Sequence, residues 1–149
     1  MPLSNTVPPP ASSMPSVPLY TSQALVPGQV YTRHDLRRLF DISDATINTG
    51  VFRPKDSNSI WLFVTEEKGV GITPYHDKLE GDVLQWQGQL SGRTDHLVID
   101  HKQTGLELIV FYRRGKKEFT ASGFRYLGPF HYQSHSGSLP TSFILSRQS

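Results

Sequence analysis

The chain contains no cysteine, which excludes disulfides, thiolate metal sites and thiol redox chemistry. It carries little net charge: 15 Lys and Arg stand against 13 Asp and Glu, a formal +2 at pH 7. A balance that small does not argue for a nucleic-acid partner, so any such argument rests on local clustering of the cations. No apolar run approaches the roughly twenty residues that span a bilayer. The N-terminus has no basic region followed by an apolar one, so no signal peptide is expected. The six histidines lack the paired spacing of a metal site. Ser136 and Ser138 lie outside any GxSxG elbow, and there is no glycine-rich phosphate loop. These absences argue for no metal, no cofactor and no catalytic residue. The expectation is a soluble cytoplasmic protein, with its 149 residues forming one domain plus a tail.

Residues 1–28 are rich in Pro and Ser and nearly free of charge. Such a segment buries too little to offset its ordering entropy, so a disordered leader is expected over 1–28 and a single domain over 29–149. "YTRHDLRRLF" reads as a helix start. Thr32 is the N-cap, Asp35 sits in the first turn, and Leu36, Leu39 and Phe40 share a face. After Gly50 the chain reads as β. Aromatic and β-branched runs lie at 51–54 and 59–67, with further strands near 83–88, 96–101, 106–113, 118–121, 124–132 and 141–146. The segment 73–82 reads as a loop. The spacing suits an α+β fold: a strongly bent mixed sheet or small barrel with an N-terminal helix.

Two clusters of cations stand out in this nearly neutral chain. Arg33, Arg37 and Arg38, with His34, occupy the remaining face of the expected helix. Arg113, Arg114, Lys116 and Lys117 flank Gly115 at an expected hairpin tip. A solvated turn is the plain reading of such a tip. The functional reading is phosphate contact, because clustered cations release counterions from a nucleic-acid backbone.

The stretch "DVLQWQGQ", 82–89, sets one tryptophan among glutamines. Strand alternation places Leu84 and Trp86 on one face and Gln85, Gln87 and Gln89 on the other. Trp61, Phe63, Phe111, Phe130 and Phe143 sit in apolar strand contexts and read as core. Tyr75, Trp86 and Tyr126 sit beside polar groups, where a ring either stacks a base or closes a core at a strand end. Spacing alone favours core for Trp86 and leaves Tyr75 open.

The ordered string "VYTRHDLRRLF", "GVFRPKDSNSIWLFVT", "YHDKLEGDVLQWQGQ", "VIDHKQTGLELIVFYRR" and "FRYLGPFHYQSHSGSLPTSFIL" resembles a domain at the C-terminus of bacterial superfamily II helicases. Many of those helicases also carry a phospholipase-D-type nuclease. In such modification-dependent restriction enzymes the domain looks like the target-recognition part, similar in role to SRA domains that flip out 5-methylcytosine. The resemblance implies an SRA/PUA-like barrel that reads 5-methylcytosine or 5-hydroxymethylcytosine in double-stranded DNA. It implies no catalysis in this chain, whose partner would be a nuclease or helicase domain. It also implies a pocket. Trp86 and Tyr75 would be its rings, Gln87 and Gln89 its amides, and Asp77 the acceptor for cytosine's exocyclic amine. Arg93, in "LSGRTDH", would fill the gap left by the extruded base.

Two other readings compete: a regulatory barrel that holds a peptide or small ligand, and an enzyme acting on a base or nucleotide. Salt-dependent binding to duplex DNA separates the first from the recognition module. Turnover separates the second.

Overall fold

The computed structural model describes residues 19–44, 47, 49–55, 57–67, 77–89 and 91–148. Eight strands form one sheet: β1 (Val30–Tyr31), β2 (Val51–Phe52), β3 (Ser59–Thr65), β4 (Lys78–Glu80), β5 (Val83–Gln87), β6 (Glu107–Arg113), β7 (Phe124–Ser136) and β8 (Ser142–Arg147). Two helices accompany them, α1 (Arg33–Phe40) and α2 (Asp95–Ile99). The strand order is β2-β3-β6-β7-β8-β5-β4, with β1 also paired to β7. β3 and β6 are parallel, with Ser59 opposite Glu107 and Thr65 opposite Arg113. The other pairings are antiparallel.

Both faces of β3 are buried, and its alternating side chains feed two cores. Ile60, Leu62 and Val64 join Leu84, Trp86, Leu108, Val110, Phe143 and Leu145 on one face. Trp61 and Phe63 join Leu36, Phe40, Ile109, Phe111, Phe124 and Tyr126 on the other. α1 covers this second face. It starts where Thr32 and Asp35 place it, because their side chains and backbone N–H groups form a reciprocal capping box, typically worth about 1 kcal/mol. α1 is not the first element, since a 3-10 turn over Thr21–Ala24 and β1 precede it.

The sheet bends because β7 changes partner along its 13 residues. Its first half pairs with β6 and its second half with β8, with a register shift in each pairing. Such bulges sharpen the local bend and twist. The bend brings β4 back toward the ends of β3 and β6. There the Glu66 carboxylate accepts from the Leu79 N–H (3.2 Å) and the Tyr112 hydroxyl (2.7 Å). β2 and β4 end the strand path without pairing to each other, so the sheet stays open and no closed barrel forms among the described residues.

Three expectations are corrected. The first concerns residues 19–28, read from composition as the end of the leader. They lie against the sheet, with Thr21 and Leu25 buried. The Trp61 indole N–H donates to Thr21 Oγ1 (2.8 Å), and Glu107 accepts from the Ser22 N–H (3.0 Å) and from Ser59 Oγ (2.5 Å). These specific long-range bonds outweigh a composition unsuited to burial. Residues 1–18 lie outside the described ones. The second concerns 96–101, expected as a strand. It is mostly α2, whose Val98 enters the first core, so tertiary burial overrides β propensity. The third concerns 118–121 and 73–82. The former is a turn leading into a 3-10 turn over Thr120–Ser122. The latter contains β4, drawn into pairing with β5 through Leu79 opposite Leu84.

No described helix is long and apolar enough to cross a membrane.

Candidate nucleic-acid interface

The end of β5 answers the question posed by Trp86 among its glutamines. The alternation is as expected, with Leu84 and Trp86 buried and Gln85 exposed. Trp86 is only 4% exposed and stacks on Phe143, centroids 5.2 Å apart at 28°. That packing leaves no open ring face for a base, so Trp86 is a core residue beneath the strand end. The glutamines organise the surface above it. Gln87 Nε2 donates to Ser142 Oγ (3.3 Å), and Gln89 Oε1 accepts from the Thr94 hydroxyl (3.2 Å). Asp77 is buried and accepts from the Gln87 backbone N–H (2.9 Å). The structure therefore brings Asp77, Gln87 and Trp86 together, with Gln89 two residues further along. Tyr75 lies outside the described residues. Arg93 is exposed in the turn before α2.

Sequence reading missed Asp95 at this strand end. Its Oδ2 accepts from the Thr141 hydroxyl at 2.5 Å, while Oδ1 is buried without a hydrogen-bond partner. A Cβ on Gly88 would come within 2.9 Å of that oxygen and 3.1 Å of Phe143. Only glycine lets the backbone run so close, and a glycine directly after a strand run was the available signal. Among the described residues no group of three or more His, Asp or Glu is arranged to hold a metal.

The two basic segments, far apart in sequence, come together on the other core's flank. The Arg33 guanidinium lies 4.3 Å from the Phe63 centroid and 5.0 Å from that of Phe124. Arg113 lies over Phe124 at 4.1 Å. Each is tethered by hydrogen bonds. Arg33 donates to the carbonyls of Ile47 (2.9 Å) and Thr49 (3.4 Å). Arg113 donates to Thr65 Oγ1 (2.8 Å) and the Ser122 carbonyl (3.0 Å). Burial, then the charges of Arg113 and Arg37, pull the Arg33 pKa down to about 10. Burial also lowers that of Arg113. Among the described residues no carboxylate pairs with them; the only ion pair there is Lys78–Glu80 at 3.8 Å.

This arrangement revises the expected phosphate contacts. Arg113 is 7% exposed and its bonds point inward, so it adds charge beneath the surface and does not reach outward. Arg33 and Arg37 are half-buried, and Arg38, Arg114, Lys116 and Lys117 are exposed. The hairpin tip is also less purely cationic than its sequence suggests. Glu118 accepts from the Arg114 N–H (2.5 Å), and Glu67 donates its N–H to the Arg114 carbonyl (2.7 Å).

His101 is 2% exposed. Its Nδ1 faces the Leu106 carbonyl at 3.0 Å and its Nε2 accepts from the Tyr132 N–H at 3.0 Å. Both ring nitrogens are occupied, Nδ1 by the chain just before β6 and Nε2 by β7 at the start of its bulge.

Residues 25–143 match the family described as Domain of unknown function (DUF3427). The chain belongs to this family. The match takes in both core faces, the end of β5 and the arginine cluster of this DUF3427 domain. No curated protein matches the chain.

Proposed function

We propose that this DUF3427 domain is a DNA-recognition module that reads a modified cytosine, 5-methylcytosine or 5-hydroxymethylcytosine, by extruding it from the duplex. In this reading it is the non-catalytic target reader of a modification-dependent restriction system, comparable in role to an SRA/PUA-like domain, and a nuclease or helicase supplies cleavage. The observation that carries the reading is the convergence of the two basic segments. In a chain with a formal charge of +2, arginines from α1 and from the end of β6 gather around Phe124 with no described carboxylate paired to them. A duplex backbone supplies the missing negative charge.

The base edge is assigned to the end of β5. Gln87, Gln89 and Asp77 are its polar groups, and Trp86 is the packed floor that fixes them. A carboxylate acceptor suits cytosine's exocyclic amine, and Arg93, exposed in the turn before α2, is assigned to fill the vacated stack. Extrusion costs a few kcal/mol, which backbone contacts and edge contacts together offset.

Asp77→Asn tests the assignment. The Asn carbonyl can still accept from the Gln87 N–H, so circular dichroism and Tm should stay close to wild type. Preference for the modified duplex should fall by about 1–3 kcal/mol, the usual worth of an edge contact, while weak nonspecific binding persists. A folded variant that keeps its full preference removes Asp77 from the site.

A further inference from the structure

We infer that Arg33 and Arg37, backed by Arg113, form a preorganised seat for a single tetrahedral phosphate group. This rests on the DNA reading for its biological ligand, but it makes a separate claim: one discrete oxyanion site, distinct from the diffuse charge of the hairpin tip.

Three observations carry it. First, two of the three cations, Arg33 and Arg113, are held in place before any ligand arrives. Arg33 lies against Phe63 and Phe124 and is tied to the carbonyls of Ile47 and Thr49. Arg113 lies against Phe124 and is tied to Thr65 and Ser122. An arginine whose stem and ring contacts are already fixed loses less side-chain freedom on binding. Second, the three charges repel one another. Arg33 and Arg37 are one helical turn apart on the same face of α1, a like-charge spacing that destabilises an isolated helix. Arg113 adds a third positive charge from beneath. None has a described ion-pair partner. A fold that gathers these cations with no ion-pair partner among the described residues favours an anion that supplies the counter-charge. Third, donors remain. Arg33 spends Nε and Nη2 on carbonyls, leaving Nη1, and Arg37, half-buried, is near enough for its charge to act on Arg33. Nη1 of Arg33 can donate to one phosphate oxygen, and the Arg37 fork can add a planar, paired contact. Arg33 and Arg37 are the contacting residues, and Arg113 is a positioning cation.

The seat differs in kind from Arg114, Lys116 and Lys117. These are exposed, and Glu118 and Glu67 bond the backbone beside them. A diffuse patch responds to ionic strength and not to the shape of the anion.

The experiment is a thermal-melting titration of the full chain with inorganic phosphate, against sodium chloride at matched ionic strength. It is run on wild type, Arg37→Gln and the double variant Lys116→Gln/Lys117→Gln. A parallel titration measures phosphate competition with a fluorescein-labelled duplex. The expected result is a phosphate-specific rise in Tm for wild type and the lysine variant, and phosphate affinity roughly tenfold weaker in Arg37→Gln. Equal stabilisation by phosphate and chloride, or an Arg37→Gln response identical to wild type, overturns the seat. The two readings separate cleanly. Phosphate stabilisation without duplex binding keeps the seat and sinks the DNA reading. Duplex binding that is unchanged in Arg37→Gln and indifferent to phosphate keeps the DNA reading and sinks the seat.

Discussion

Single residues at the end of β5 set how closely the chain can pack. Gly88 faces Asp95 Oδ1 and the Phe143 ring at distances that leave no room for a Cβ. Gly88→Ala is therefore expected to lower stability by about 1–3 kcal/mol, the usual cost of overpacking a filled site, read as a drop in urea midpoint at constant m-value. An unchanged midpoint would show that Asp95 shifts freely. His101 is the other residue whose chemistry follows from its surroundings. Burial first, then the charges of His131 and Lys102, lower its pKa below the ordinary 6.5, against the opposing pull of the Leu106 carbonyl. The neutral ring is the one that accepts from the Tyr132 N–H. A folded pKa below the unfolded one means that the unfolded chain takes up the proton first. The stabilisation is thus fully present above pH 6.5 and is lost as the pH falls through the lower folded value. Denaturant midpoints should decline from pH 8 to pH 5, and His101→Gln should flatten that decline. An identical decline in the variant would assign it to other groups.

Whole elements show where sequence legibility ends. β3, β5, β6 and β8 lie where alternation and β-branched content put them, because their side chains face the cores that gave them their pattern. α1 was legible from the Thr32–Asp35 spacing. The segments that misled are those whose state depends on a distant partner. "HLVI" is rich in β-formers, yet it forms a helical turn because Val98 fills the first core. β4 needs β5 beside it. Thr21 and Ser22 are tied down by Trp61 and Glu107, about forty and eighty-five positions away. In the site, Asp77 and Gln87 were legible as neighbours and spacing favoured core for Trp86, whereas the burial of Arg113 was not legible, since spacing does not reveal what covers a guanidinium. Removal of residues 1–26 is expected to lower Tm, because the Trp61 indole N–H loses Thr21 and the sheet loses the cover of Leu25. A buried donor left unpaired costs about 1–3 kcal/mol. Removal of residues 1–26 should lower Tm further than removal of residues 1–18 alone. If both truncations melt alike, the 3-10 turn contributes nothing to the fold.

At the scale of the molecule, an open, bent sheet holds two separate surfaces. The polar end of β5 stands over the first core, and the arginine cluster flanks the second. In the proposed reading the arginines carry sequence-independent affinity and the β5 end carries discrimination, so the two respond differently to salt. The most direct measurement is equilibrium binding to otherwise identical duplexes containing cytosine, 5-methylcytosine or 5-hydroxymethylcytosine, each at a low and a high salt concentration. The expected result is a general loss of affinity at high salt, with one modified duplex bound more tightly than the unmodified one at both concentrations. Equal binding of all three duplexes, or binding that ignores salt, would contradict the assignment of this domain as a reader of modified DNA.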